Sequence, residues 1–456
     1  MREDEKDRAA SVGRWAARPR TAFACSRHGD VTPGWRGSAD RKLEVEFVSD
    51  HDFQGGHAAV HPGMAPRAAA ERRLHSAHMA EADFSQAPFT VVWEVTRACA
   101  LACKHCRAEA QPLRHPQELT LEEGYRLIDQ IKSFGDPVFV ITGGDPMMRK
   151  DLPDIIRYAV SKGLRTSLTP SATRMVTKER LQQVKDAGVL RLAVSLDGST
   201  AEIHDAFRKI PGTFDRTMQI IHDIREVDLS FQINTTISRY NLDDLPNMLE
   251  LVRNSGAVQW SLFFLVPTGR GNAEDMITPE QHEQVFNWLY ELSKKEPFDI
   301  KSTAAQMYRR VVIQRERAAQ AAESALPQAA GAEGYTPPGS RHEMPVTVAG
   351  AGFQYKDGLN RPVKGVNDGN GFVFISHIGE VCPSGFLPLA AGNVREESLV
   401  DIYRNAPLFK ELRDPGRLKG RCGQCEFKIV CGGHRGRAYA LTGDYLETDP
   451  ACVFQP

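Results

Sequence analysis

Nine cysteines, most of them in two tight groups, constrain this chain of 456 residues more than any other feature. Cys99, Cys103 and Cys106 stand in a C-x3-C-x2-C run. Cys422, Cys425, Cys431 and Cys452 crowd the C-terminus, Cys382 precedes them, and Cys25 stands alone near the start. A disulfide-stapled secreted domain spreads its cysteines through its loops. Two clusters on either side of a long cysteine-free body read instead as two metal sites flanking an enzyme. No apolar run approaches the roughly 20 residues that cross a bilayer. The opening stretch Met1 to Arg8 is too charged for a signal peptide. The expected compartment is the cytoplasm, with no membrane insertion. With 57 Lys+Arg against 58 Asp+Glu, the net charge of −1 argues against bulk binding to nucleic acid.

The first 78 residues hold six of the fourteen histidines, scattered Gly and Pro, and no sustained period of 2 or 3.6. Such a segment buries too little apolar surface to offset its ordering entropy. Residues 1–78 therefore read as disordered, or as lying upstream of a true start at Met79. From Thr90 onward, short strands rich in Val, Ile, Leu and Phe alternate with amphipathic helices. The strands are expected at Thr90–Val95, Val138–Thr142, Arg165–Thr169, Leu192–Leu196, Phe231–Ile237 and Trp260–Val266. Six strand–helix units are too few for a closed eight-fold barrel. The expected fold is α/β, a partial (β/α)6 TIM-like barrel over residues 79–300, with its site at the C-terminal ends of the strands. Residues 301–370 read as a connecting segment with a flexible loop at Gln328–Ser340, and residues 371–456 as a small cysteine-rich domain.

Cys99, Cys103 and Cys106 directly follow the first strand. Three thiolates at this spacing suit a loop around one side of an iron–sulfur cubane. Four cysteines would close such a cluster, whereas three leave one iron open to bind something else. Zinc competes, but structural zinc takes four ligands in paired knuckles, and His105 is wedged between Lys104 and Cys106. At this point the chain resembles the radical S-adenosylmethionine (SAM) enzymes. That resemblance implies that SAM chelates the open iron of a [4Fe–4S] cluster. The reduced cluster then cleaves SAM to a 5′-deoxyadenosyl radical, which abstracts hydrogen from a substrate. Other landmarks resemble the family too. Gly143, Gly144, Asp145 and Pro146 are similar to its GGEP motif, which implies a role at the SAM amino group; Asp for Glu is a mild departure. Ser195 and Asp197 end the fourth strand where the family holds the SAM ribose and carboxylate. Arg208 is an implied carboxylate partner, or a plain ion-pair residue. Ser171, Asn234, Thr236 and Val266 occupy further SAM-contacting places, and His105 takes the position near the adenine.

Cys422-x2-Cys425-x5-Cys431 followed by Cys452 resembles the outer-cluster set of the C-terminal SPASM/twitch extension of these enzymes. The inner set needs a cysteine where Arg435 stands, with His434 beside it, and only Cys382 remains upstream. The resemblance thus implies one auxiliary [4Fe–4S] cluster for electron transfer, with zinc as the alternative. Cys382 reads as a buried thiol, an orphan ligand or a substrate contact. The run from Arg437 to Cys452 is similar to SPASM proteins of heme d1 and alternative heme biosynthesis and their uncharacterised relatives. The expected function is a radical SAM oxidoreductase acting on a tetrapyrrole or another small-molecule or cofactor precursor, fed by an electron donor such as flavodoxin or ferredoxin. One alternative is a maturase of ribosomal peptides; another, of a different class, is a non-catalytic iron–sulfur or zinc protein.

Overall fold

A computed structural model describes residues 83–324 and 365–456. The expectations for residues 1–78, Cys25, Met79 and the Gln328–Ser340 loop lie outside the described residues. Ten strands form one sheet in the order β10-β9-β8-β1-β2-β3-β4-β5-β6-β7. Strands β1 (Thr90–Glu94), β2 (Val138–Thr142), β3 (Arg165–Leu168), β4 (Arg191–Ser195), β5 (Phe231–Ile237) and β6 (Gln259–Phe264) match the six expected units and run parallel. A seventh parallel strand, β7 (Asp299–Thr303), extends them past β6.

The crossover helices are α1 (Leu121–Lys132), α2 (Leu152–Ser161), α3 (Lys178–Asp186), α4 (Ala201–Arg208), α5 (Thr213–Glu226), α6 (Leu245–Ser255), α7 (Pro279–Lys295) and α8 (Met307–Ser324). Their starts are set locally. Thr120 accepts from the Glu123 N–H while the Glu123 carboxylate accepts from the Thr120 N–H, a reciprocal cap that fixes the first turn of α1. Thr278 and Gln281 do the same for α7, which also opens on Pro279. Leu127, Ile128 and Ile131 of α1 are buried against the sheet. Burying each such side chain stabilises by about 1.5–3 kcal/mol.

The two faces of the sheet differ. Trp93 packs against Gly124 of α1, so Trp93 belongs to the helix-covered outer face. Val92 and Glu94 then point to the inner face, together with Val140 and Thr142 by register. Along β5 the burial alternates strictly: Ile233, Thr235 and Ile237 are buried, while Gln232, Asn234 and Thr236 are half-exposed on the inner side. The outer face is core, while the inner face is apolar around Val92, Val140 and Phe374 and carries half-exposed polar side chains along β5.

The C-terminal residues join this sheet. Strand β8 (Phe372–Ile375) pairs in parallel with the free edge of β1, matching Val92 to Phe374. The antiparallel strands β9 (Glu380–Cys382) and β10 (Gly392–Asn393) follow. The short helices α9 (Leu399–Asn405), α10 (Pro407–Arg413), α11 (Gly420–Gln424) and α12 (Arg435–Thr442) complete the described chain. Among the described residues, no helix is long and apolar enough to cross a membrane.

Candidate active site

The first cysteines sit in a loop closed at its base, where the Cys99 N–H donates to Gln111 O and the Gln111 N–H to Arg97 O. Cys99 and Cys103 are buried with Leu101, and Cys106, Ala110 and Ile210 pack against them. Each sulfur has a donor beside it. Leu101 N lies 3.4 Å from Cys99 Sγ, Ala110 N 3.5 Å from Cys106 Sγ, and Arg208 Nη1 3.6 Å from Cys103 Sγ. Burial raises the Cys99 thiol pKa, and the Leu101 N–H opposes it. Donors aimed at buried sulfurs are what a set of ligating thiolates needs, because ligation removes the thiol proton.

The loop after β2 is locked onto this one. Gly144 N donates to Thr96 O and Asp145 N to Ala98 O, both at 2.7 Å. A Cβ on Gly144 would lie 2.5 Å from Arg97 O, so only glycine permits the approach. The Asp145 carboxylate is fully buried. It accepts from Met147 N at 3.1 Å, Ser171 N at 3.4 Å and Thr173 Oγ1 at 2.6 Å. Burial raises its pKa and these bonds only partly offset the rise. Pro146 opens the short turn that Asp145 caps. Ser171 joins the two loops: its hydroxyl donates to Gly144 O at 2.6 Å and lies 3.6 Å from Cys99 Sγ.

On the other side, Asp197 is fully buried past β4 and ion-paired with Arg208 of α4. Its Oδ1 accepts from Thr236 N at 2.7 Å, and its own N–H donates to His204 Nδ1 at 3.1 Å. Burial and Arg208 hold the His204 pKa at about 4, so the ring is neutral. Burial opposes the Arg208 charge, but Asp197 and Cys103 outweigh it and raise its pKa. His105 stacks on Phe207 with ring centres 4.3 Å apart. Burial, then Arg208 and Arg270, keep it well below the usual histidine range. Ser195 ends β4 half-exposed beside Asn234, and buried Val266 lies just past β6.

Three contributors escape a reading of motifs. Arg270 donates to Cys103 O at 2.9 Å and Ala110 O at 3.3 Å, and its own N–H donates to Cys106 O, clamping the cysteine loop from behind. Its position between Gly269 and Gly271 after a strand is the one available signal. Phe207 lies in α4 next to Arg208 and belongs to no motif. Glu94 is an acidic residue in an apolar strand.

The second cysteine group also converges. Cys422, Cys425, Cys431 and Cys452 line one cavity with Arg310, Lys428 and Phe454. Gly432 and Gly433 turn the chain there in the left-handed region, at φ +65° and +63°. Gly433 N lies 3.4 Å from Cys431 Sγ, and Arg435 Nη2 lies 3.7 Å from Cys422 Sγ. Burial pushes the free Cys431 thiol up to about 12. His434 Nδ1 accepts from Arg437 N and caps α12. Cys382 lies in β9, 5% exposed and opposite Phe374, outside that cavity lining; burial pushes its thiol up to about 12. A single zinc would bring thiolates to roughly 3.8 Å from one another, given Zn–S bonds near 2.3 Å. Among the described residues, the only trio of ligand atoms mutually within 4.8 Å is the surface set His222, Asp223 and Glu226. No three of the C-terminal cysteine sulfurs meet that spacing.

Comparison with known proteins agrees with this geometry. The model of the radical SAM superfamily matches residues 93–252. The AdoMet-dependent heme synthase of Methanosarcina barkeri is 40% identical over 82% of this chain and 98% of its own. The Fe-coproporphyrin III synthase of the same organism is 28% identical over 86% and 94%. Streptococcus suis SuiB, solved with its precursor peptide SuiA, shares the fold with a TM-score of 0.56 and 14% identity, over 90% of this chain and 85% of that one. The chain is therefore an enzyme of the radical SAM superfamily, working with [4Fe–4S] clusters and SAM, and belongs to the SPASM-type group that includes the AdoMet-dependent heme synthases.

Proposed function

We propose that this enzyme is a cytoplasmic oxidoreductase that abstracts hydrogen from a tetrapyrrole side chain in heme formation. The chemistry rests on one observation: two contact chains meet at the first cysteine loop. One runs Cys99–Ser171–Gly144 and the other Cys103–Arg208–Asp197, both at the C-terminal ends of the parallel strands. The substrate class rests on the 40% identity to a heme synthase along nearly its whole length. The peptide alternative has less behind it: 28% identity to a PqqA peptide cyclase of Rhodopseudomonas palustris over 81% of this chain, and the fold shared with SuiB.

In this reading residues 79–300 are the radical SAM part, 301–370 a connection and 371–456 the SPASM part. Cys99, Cys103 and Cys106 would hold the catalytic [4Fe–4S] cluster. Cys422, Cys425, Cys431 and Cys452 would hold one auxiliary cluster. Gly143, Gly144, Asp145, Pro146, Ser171, Ser195, Asp197, Arg208, Val266 and His105 would surround SAM. Together with SAM, the catalytic cluster supplies a 5′-deoxyadenosyl radical. The chain's own residues do the rest. Asp145 ties the β2 loop to the β3 loop through Ser171 and Thr173, Arg270 holds the cysteine loop shut, and Arg208 keeps Asp197 and Cys103 in fixed relation. Neutral His105 offers a flat apolar face rather than a charge. An external one-electron donor of flavodoxin or ferredoxin type completes the cycle. Anaerobic reconstitution tests the reading: about eight irons per chain are expected for two cubanes, with 5′-deoxyadenosine formed from SAM and dithionite. A value near twelve irons would refute the single auxiliary cluster.

A further inference from the structure

Glu94 is 0% exposed at the inner end of β1 and carries more positive charge than it needs. Arg97 Nε lies 3.1 Å from its Oε1, Arg107 Nη2 3.0 Å from its Oε2, and His377 Nδ1 3.2 Å from its Oε1. Burial opposes ionisation of Glu94, but Arg107, His377 and Arg97 together hold its pKa at about 2. One guanidinium would neutralise the carboxylate, and the second is surplus. Neither arginine is spent on Glu94. Each gives it one nitrogen, their side chains are 38% and 19% exposed, and the Arg107 guanidinium is fixed over the Phe374 ring at 4.6 Å and against Gly385. Phe374 shares the inner face of the sheet with Val92. The two arginines bracket the cysteine loop, Arg97 two residues before Cys99 and Arg107 directly after Cys106.

We infer that Arg97 and Arg107, partly exposed and held by Glu94 beside the cysteine loop, form a binding site for a carboxylate of the substrate. The planar fork of arginine pairs with a carboxylate through two parallel hydrogen bonds, and Glu94 fixes each fork while leaving other N–H groups free to donate. This inference rests on the tetrapyrrole reading and deepens it: the substrate is a tetrapyrrole bearing carboxylate side chains, anchored by one of them. SAM also carries a carboxylate, so the test separates the two sources.

The anaerobic, reconstituted full chain is titrated with Fe-coproporphyrin III and with its methyl ester, which has the same macrocycle without the anions. Binding is followed by absorbance. The native chain is expected to bind the acid about tenfold or more tightly than the ester. Arg97→Gln and Arg107→Gln are expected to lose most of that preference, and Arg107→Lys to recover part of it, with iron content and SAM affinity close to the native values. The acid–ester comparison needs no variant, so it stands even if Arg107→Gln fails to load its cluster. Equal binding of acid and ester by the native chain would overturn the carboxylate site and leave the tetrapyrrole reading intact. Binding of neither would overturn both. A loss of SAM affinity in Arg97→Gln equal to its loss of Fe-coproporphyrin III affinity would assign the arginine to SAM instead.

Discussion

Arg208 is ion-paired with Asp197 in the interior while its Nη1 reaches Cys103 Sγ at 3.6 Å, so one guanidinium joins the end of β4 to the cysteine loop. Removing one partner of a buried pair strands the other's charge, at a cost of about 3–5 kcal/mol. Asp197→Asn is therefore expected to lower stability by that amount, because Arg208 stays buried without its anion. Arg208→Lys keeps the charge but not the fork, and is expected to weaken SAM binding more than it lowers the melting temperature. Anaerobic calorimetry and SAM titration on the same samples check both.

Gly144→Ala probes the contact between the two loops. Its Cβ would meet Arg97 O at 2.5 Å and Ala98 O at 2.6 Å, both backbone atoms that cannot swing away. The loop must retreat, breaking the Gly144 N–H to Thr96 O bond. Retention of the catalytic cluster and SAM affinity are expected to fall at least tenfold, by the same logic that makes small misplacements costly at a reacting centre. Native-like iron content with native SAM affinity would show that the approach is not required.

Buried histidines set an acid limit. Burial, then Arg208, holds His204 at about 4, and burial, then Arg437, holds His282 at about 4, against 6.5 for a free imidazole. The folded chain resists protonation that the unfolded chain accepts, so the unfolded state binds more protons between these values and stability falls as pH drops from 6.5 towards 4. Denaturant unfolding at a series of pH values checks the sign. Replacing His282 by Gln is expected to flatten part of that slope, and an unchanged slope would dissociate His282 from it.

Much of this layout is legible in the residues themselves. The six strand–helix units are marked by Val- and Ile-rich strands and by caps such as Thr120 with Glu123, and the structure keeps the strands within two residues of their expected bounds. Strand β7 escapes because its DIKST sequence mixes charge with a single large apolar residue; it is recruited by the edge of β6, not by its own pattern. The pairing of β8 with β1 and the contact of His377 with Glu94 join residues far apart in sequence, and no local spacing encodes them. The spacing within each cysteine group is local, so both groups can be read directly from the sequence. Arg270 was not, because its work is done through main-chain carbonyls of a distant loop.

The C-terminal module is pinned by Arg437, which is ion-paired with Asp449 at 3.0 Å and donates to Ala304 O at 2.5 Å and Phe264 O at 3.4 Å. All three partners are buried, so Asp449→Asn is expected to cost about 3–5 kcal/mol and to release iron from the C-terminal site first. Cys431→Ala is expected to keep some uncoupled SAM cleavage and lose product. Iron analysis with product quantification distinguishes the two variants, and normal turnover by Cys431→Ala would remove the electron-transfer role of that site.

The most direct measurement is 5′-deoxyadenosine formed by the anaerobically reconstituted enzyme with dithionite and SAM, with and without Fe-coproporphyrin III, in the native chain and in Cys103→Ala. The expected result is cleavage that rises when the porphyrin is added and disappears in Cys103→Ala. Absence of 5′-deoxyadenosine from a fully iron-loaded native chain, or cleavage that survives loss of Cys103, would contradict it.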